Sequence, residues 1–245
     1  NLHDFLNGND YQVQLDNPSS VLMLSGGVDS VALLKKLLEE TDEDIYAHHF
    51  HLKSFENTYF KKAEAKALRK IVPYMKKAFR DFHYTESSID VRQIANLVSP
   101  DKKDSRFAYI PEHIYYNLLG GVLAKITKSD KLYSGICKED FKGMHFGGLE
   151  EYSFENREKF IMRPIINSTS YPHKILNSDT RFKNPLSKRQ AIEYVGEELM
   201  KMVWYCRFPV KENNKFMSCN ECRSCKDVNN ALIEIEEEQR GIKYA

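Results

Sequence analysis

The sequence predicts an α/β domain of the doubly wound kind, a parallel sheet with helices on both faces, followed by a small cysteine-bearing module. Three observations predict it. Short apolar runs suited to buried strands alternate with helix-periodic segments, and right-handed crossovers turn that alternation into a parallel sheet covered on both sides. The first apolar run, Val21 to Leu24, passes straight into Ser25-Gly26-Gly27 and then into a helical pattern. Four of the five cysteines gather beyond residue 205. The expected organisation is an arm over 1–18, the α/β domain over 19–202 and the C-terminal module over 203–245.

Each element has its own signal. Residues 1–18 are polar, contain Gly8 and Pro18, and show no sustained period. After the first strand, Val31, Leu33, Leu34, Leu37 and Leu38 recur at helical spacing. Ile45 to Phe50 reads as a second buried strand, and Asn57 to Met75 carries helix formers such as Ala63, Ala65, Ala67 and Leu68. Phe79 to Tyr84 is the expected third strand, Ile110 to Ile126 an apolar helix, and Lys131 to Ile136 the fourth strand. Beyond Phe141 the text loosens until Lys188 to Met202, an expected helix with Ser187 as its N-cap.

Composition narrows the functional classes. The 245 residues are 42% apolar and 29% charged, as in ordinary globular proteins, and allow one large domain with a small appendage. A formal net charge of +1 provides no global attraction for nucleic acid or anionic lipid. No apolar run is long enough to cross a bilayer, and residues 1–20 lack the apolar stretch of a signal peptide, so the expected location is cytoplasmic.

The strongest local signal is Ser25-Gly26-Gly27-Val28-Asp29-Ser30, between a strand and an amphipathic helix. Paired glycines let the backbone turn tightly and approach an anion, while the helix aims its free N–H groups and positive dipole end at the same spot. Ser25 and Ser30 add hydroxyls, and Asp29 can face phosphate only across a cation, which implies ATP with magnesium. The loop lacks the lysine of a Walker-type G-x-x-x-x-G-K-[ST] loop and the spacing of G-x-G-x-x-G. A bare Gly-Gly turn with a helix cap is the structural alternative. The full hexapeptide resembles the SGGxDS signature of PP-loop ATP pyrophosphatases, which cleave ATP between the α- and β-phosphates and pass AMP to an acceptor oxygen. In an open α/β sheet the adenine would rest near the end of the second strand, which makes Phe50 and His51 candidates. On that strand His49 and His51 share a face and His48 points away, so the three do not read as a metal site.

Cys206 and the Cys219-Asn220-Glu221-Cys222-Arg223-Ser224-Cys225 run supply four thiols in one region. Four thiolates suit one tetrahedral zinc ion, and C-x-x-C turns present two sulfurs to one metal. Free thiols and an iron–sulfur cluster are the alternatives. Cys137, in Gly135-Ile136-Cys137-Lys138-Glu139-Asp140-Phe141, follows the fourth strand, where ligands gather in such sheets; it reads equally as a small buried residue.

The SGGxDS loop, the Gly135-Ile136-Cys137-x-x-Asp140-Phe141 segment, Ala124-Lys125, Pro185-Leu186-Ser187-Lys188 and the cysteine quartet together resemble the 7-cyano-7-deazaguanine synthase (QueC) family over roughly Val21 to Asn230. The resemblance implies a fold of the adenine nucleotide α-hydrolase-like (HUP) type. It also implies ATP-dependent conversion of 7-carboxy-7-deazaguanine and ammonia into an amide and then a nitrile, with zinc as a structural ion. Carried over, Ser25, Gly26, Gly27, Val28, Asp29 and Ser30 hold ATP and magnesium, with Asp29, Ser30 and Asp140 in catalytic roles. Asp140 lies at the deazapurine end, with Gly135 and His113 as further candidates for that pocket, and Cys206, Cys219, Cys222 and Cys225 bind zinc.

The chain departs from that family where the substrate would lie. Ile110-Pro111-Glu112-His113 stands where the family has Gly-Arg-Asn, and Gly143 to Gly148 replaces a Gly-Tyr-Pro-Asp-Cys stretch. A divergent relative that joins a deazaguanine to a protein partner in antiviral defence is therefore one alternative, and a tRNA-modifying PP-loop enzyme another. The near-neutral charge speaks against a nucleic-acid partner. A protein acceptor and a homodimer stay open.

Overall fold

The computed structural model describes residues 19–53, 58–90, 112–135, 137 and 186–241, apart from the side chains of 19, 52, 53, 58 and 112–115. In chain order the elements are β1 (Ser19–Met23), α1 (Val28–Glu40), β2 (Asp44–Lys53), α2 (Thr58–Ala78), β3 (His83–Asp90), α3 (Glu112–Thr127) and β4 (Lys131–Ser134). After them come α4 (Lys188–Val195), α5 (Glu197–Met200), β5 (Val210–Glu212), β6 (Lys215–Met217) and α6 (Arg223–Gln239).

The first four strands form one parallel sheet in the order β3-β2-β1-β4. Side chains alternate across it, as strand geometry requires. Leu22, Leu24, Ile45 and Ala47 face one core with Val31, Leu34 and Leu37 of α1 and Leu68, Ile71 and Met75 of α2. Val21, Met23, Tyr46, Phe50 and Leu132 face a second core with Ala124 of α3. The result is the three-layered, doubly wound α/β arrangement that the alternation of segments predicts. Outside it, α4 packs on α1 and α6, and the β5–β6 hairpin is antiparallel.

Two boundaries differ from expectation for physical reasons. The third strand begins at His83, and Phe79 and Arg80 instead close the end of α2. The Arg80 guanidinium donates to the carbonyls of Leu38, Thr41 and Glu43, at 3.2, 2.9 and 2.8 Å, so it caps the C-terminus of α1. The helix expected over 188–202 is broken at Gly196, whose φ of +78° interrupts it between α4 and α5. Ser187 caps α4 as expected: its hydroxyl accepts from the Gln190 N–H at 3.1 Å, and the Gln190 side chain accepts from the Ser187 N–H at 2.9 Å.

Candidate functional site: a glycine loop and a thiol cluster

The Ser25–Ser30 loop leaves the carboxyl end of β1, the strand between β2 and β4. Because β2 and β3 lie to one side of β1 and β4 to the other, the crossovers diverge here, and this divergence is where open α/β sheets form their ligand crevice. Gly26 has φ +83°, and a Cβ on it would meet Leu68 Cγ at 3.0 Å, so conformation and space both call for glycine.

Hydrogen bonds within the loop fix its shape. The Ser25 N–H donates to Ser30 Oγ at 3.2 Å, and the Gly27 N–H donates to Ser25 Oγ at 3.2 Å. Ser30 Oγ donates to the Gly27 carbonyl at 3.1 Å and lies 3.0 Å from Ser25 Oγ. With one proton on each hydroxyl, Ser25 therefore donates to Ser30. No side chain caps α1, whose N-cap is Gly27, so main-chain amides and the dipole end are the ready anion donors. Ser30 and Val28 are buried, and in this geometry they shape the loop from beneath.

Asp29 shows a partner that sequence reasoning missed. Lys188 Nζ donates to both of its carboxylate oxygens, at 2.6 and 2.7 Å, from the first turn of α4. The pair is mostly shielded, with the lysine side chain 10% and the aspartate 22% exposed. The only signal for this in the sequence was the position of Lys188 directly after the Ser187 cap.

Gly135, expected in a substrate pocket, lies against the loop itself. A Cβ there would come within 2.3 Å of Ser30 N and 2.6 Å of Asp29 C, both backbone atoms that cannot swing aside. The end of β4 is thus pressed onto the first turn of α1, and Cys137 is buried just beyond. Asp140 and the side chain of His113 lie outside the described residues.

At the end of β2 the histidines go to separate partners. His48 bridges Thr85 Oγ1 at 2.6 Å and Ser87 Oγ at 2.8 Å, His49 Nδ1 donates to the Leu24 carbonyl at 2.9 Å, and His51 Nε2 meets Glu86 at 2.6 Å. Burial, the largest influence on each, holds the His48 and His49 imidazoles down at about 4. Phe50 is buried against Tyr116.

No family model matches the chain, and no curated protein matches it. The solved structures similar in outline include the following two. One is the U34-tRNA thiolase NcsA from Methanococcus maripaludis with its 4Fe-4S cluster, at 13% identity and a TM-score of 0.40, covering 92% of this chain and 68% of that one. The other is glutamine-dependent NAD+ synthetase from Acinetobacter baumannii in complex with ADP, at 15% identity and a TM-score of 0.23, covering 46% of this chain and 19% of that one. Neither likeness bears on what this chain binds.

The four cysteines singled out in the sequence do converge. The sulfurs of Cys206, Cys219, Cys222 and Cys225 all lie within 4.8 Å of one another. Cys206 and Cys219 are 3.5 Å apart, and Cys219 and Cys225 are 4.0 Å apart. Four thiolates around one tetrahedral ion at about 2.3 Å would stand about 3.8 Å apart, so the donor set fits a single four-coordinate metal. Burial is the largest influence on Cys219 and would raise its thiol, but the N–H groups of Glu221 and Cys222 and the neighbouring thiols together bring it to about 6. Burial pushes Cys206 and Cys225 up. A thiolate already formed near neutral pH is a first ligand for an incoming cation.

The loop and the cluster are joined through Trp204. The Trp204 N–H donates to the Gly26 carbonyl at 3.0 Å, and a Cβ on Gly27 would lie 3.4 Å from the Trp204 carbonyl. The Trp204 indole N–H donates to the Cys206 carbonyl at 2.9 Å.

Proposed function

We propose that this chain is an ATP-dependent enzyme of the PP-loop kind, which activates an acceptor by transferring AMP to it. The observation that carries the reading is the Ser25–Ser30 loop, whose uncapped helix end stands at the point of divergence of a parallel sheet with the Lys188–Asp29 pair beside it. Backbone amides and the α1 dipole would hold the β- and γ-phosphates. Asp29 is the residue that would hold magnesium, which would supply charge neutralisation on the pyrophosphate. Lys188, whose ammonium now lies on the Asp29 carboxylate, would donate to a phosphate oxygen. The acceptor oxygen attacks the α-phosphorus, its bond to the bridging oxygen breaks, and pyrophosphate leaves; the fixed amides and ammonium stabilise the charge that develops.

The proposed acceptor is the carboxylate of 7-carboxy-7-deazaguanine, with ammonia as nucleophile toward the acyl adenylate. It is supported by the order of parts along the sequence, from the SGGxDS loop to the cysteine quartet. Zinc is the proposed ion at the thiols, supported by their close spacing: an iron–sulfur cluster sets several irons and sulfides between its thiolates and holds them further apart.

The test is incubation with magnesium, ATP, ammonia and the acid, following AMP against ADP and the mass of the deazapurine. AMP with an amide or nitrile product is the expected result. AMP released only with an added protein or tRNA would replace the proposed acceptor, and ADP as the sole nucleotide product would remove adenylation altogether.

A further inference from the structure

The segment between the loop and the first thiol carries an inference that rests on both parts of the proposed function. Val203 is buried against the main core, and Cys206 is fully buried among the other sulfurs. Between them Trp204 reaches both ways: its main-chain N–H holds the Gly26 carbonyl at 3.0 Å, and its indole N–H holds the Cys206 carbonyl at 2.9 Å. Gly26 is the loop residue with φ +83°, so the peptide it shares with Gly27 turns with whatever holds that carbonyl. The Trp204 ring also packs edge-on to Phe216 of β6, at 6.3 Å between centroids, and Phe216 in turn meets Tyr59 of α2 at 6.0 Å. Arg207, next to Cys206, lies over the Phe60 ring at 4.8 Å. A ligand that fixes Cys206 thereby fixes the strut that supports the anion loop.

We propose that Trp204 is a positioning residue through which a thiophilic divalent ion at Cys206, Cys219, Cys222 and Cys225 sets the loop for a nucleoside triphosphate. Ordering the thiol cluster orders the Gly26 peptide in advance, so the phosphate group meets amides already in place. The loss of freedom that nucleotide binding would otherwise impose on the loop is then smaller. Linkage makes the effect reciprocal: the nucleotide tightens the ion by the same factor by which the ion tightens the nucleotide.

The experiment uses the full chain loaded with Zn(II) and the analogue α,β-methylene-ATP with magnesium, which blocks cleavage at the bond in question. Calorimetry gives nucleotide affinity with and without zinc, circular dichroism verifies that the metal-free chain keeps its sheet, and competition with a chromogenic chelator gives zinc affinity with and without nucleotide. The expected result is a coupling of about 5-fold or more, equal from both sides, at the low end of allosteric coupling. In Trp204→Phe, which keeps a ring but loses the N–H to Cys206, the factor falls toward one while zinc and nucleotide each still bind. Equal zinc affinity with and without nucleotide, measured on the folded zinc-loaded chain, overturns the coupling and leaves both binding readings standing. A zinc-loaded chain that binds no nucleotide, or a chain that takes up no zinc, overturns the coupling together with the reading on which it rests.

Discussion

Around Ser25–Ser30 the chain is held by a large apolar core, whereas between Cys206 and Cys225 fewer apolar side chains are buried. The loop stands on Leu22, Leu24, Val28, Val31 and Leu68, all buried, and its first helix is covered by α4. Beyond Cys206, by contrast, Phe208, Val210 and Met217 are 66, 46 and 48% exposed, and the hairpin buries little of its own surface. Apolar burial at roughly 25 cal/mol per Å² stabilises the first region. The second has a smaller such term, from contacts such as Trp204–Phe216–Tyr59, and a metal held by its four sulfurs would add to it. Sites of similar size can thus be stabilised by different physics, and they should fail in different ways.

The largest expected effect breaks the comparison at its weak side. Cys222→Ala opens the thiol set, and structural zinc contributes on the order of 10 kcal/mol or more to folding of small metal modules. We expect loss of stoichiometric zinc and new proteolytic cleavage between residues 206 and 222, with the circular dichroism of the sheet retained. A variant that keeps its zinc and resists protease would show that packing, not metal, holds the module.

The next effect is confined to the core side. His48 and His49 are neutral in the fold, lowered from 6.5 to about 4 by burial, while the unfolded chain binds protons at its ordinary value. The stability they contribute is therefore complete above pH 6.5 and lost as pH falls toward 4, by up to about 3 kcal/mol for each imidazole. Urea midpoints should drop across that window, and the drop should shrink in His48→Gln. A flat profile from pH 6.5 to 4 would contradict the buried, neutral assignment.

How much of this could be read from the chain differs between the two sides. The sulfurs declared themselves because metal ligation needs residue types at short spacing, which a sequence displays directly. The loop hexapeptide and the strands β1, β2 and β4 were legible too, since buried strands are apolar runs. β3 was misplaced by a few residues because, at the edge of the sheet among the described residues, His83-Tyr84-Thr85-Glu86-Ser87-Ser88-Ile89-Asp90 has few apolar residues to mark it. The Asp29–Lys188 pair was illegible: its members are 159 positions apart, and only the packing of α4 on α1 unites them. Gly135 was expected to face a substrate, yet the space around it shows that it lets two backbones touch.

That contact gives a sharper, smaller test. Gly135→Ala drives a methyl into the Ser30 backbone and should destabilise by roughly 1–3 kcal/mol while weakening ATP binding. Gly120→Ala is its control, because there the added Cβ meets only the flexible end of Leu132, 2.8 Å away, in a helix that favours alanine. Equal losses in the two variants would mean that the β4–loop contact has no special consequence. The smallest effect is that of Lys188→Met, about 1.5 kcal/mol from the lost charged hydrogen bonds, with a larger fall in the rate of AMP formation than in stability. Unchanged AMP formation would remove Lys188 from the proposed chemistry.

The bond from Trp204 to Gly26 joins the first turn of the sheet to a segment far along the chain. A ribosome adding roughly 5–20 residues each second exposes Trp204 many seconds after the SGGVDS segment. During that interval the nascent chain holds the glycine loop without its strut. A chain cut short before Trp204 would have its strands and glycines but no Trp204 N–H for the Gly26 carbonyl.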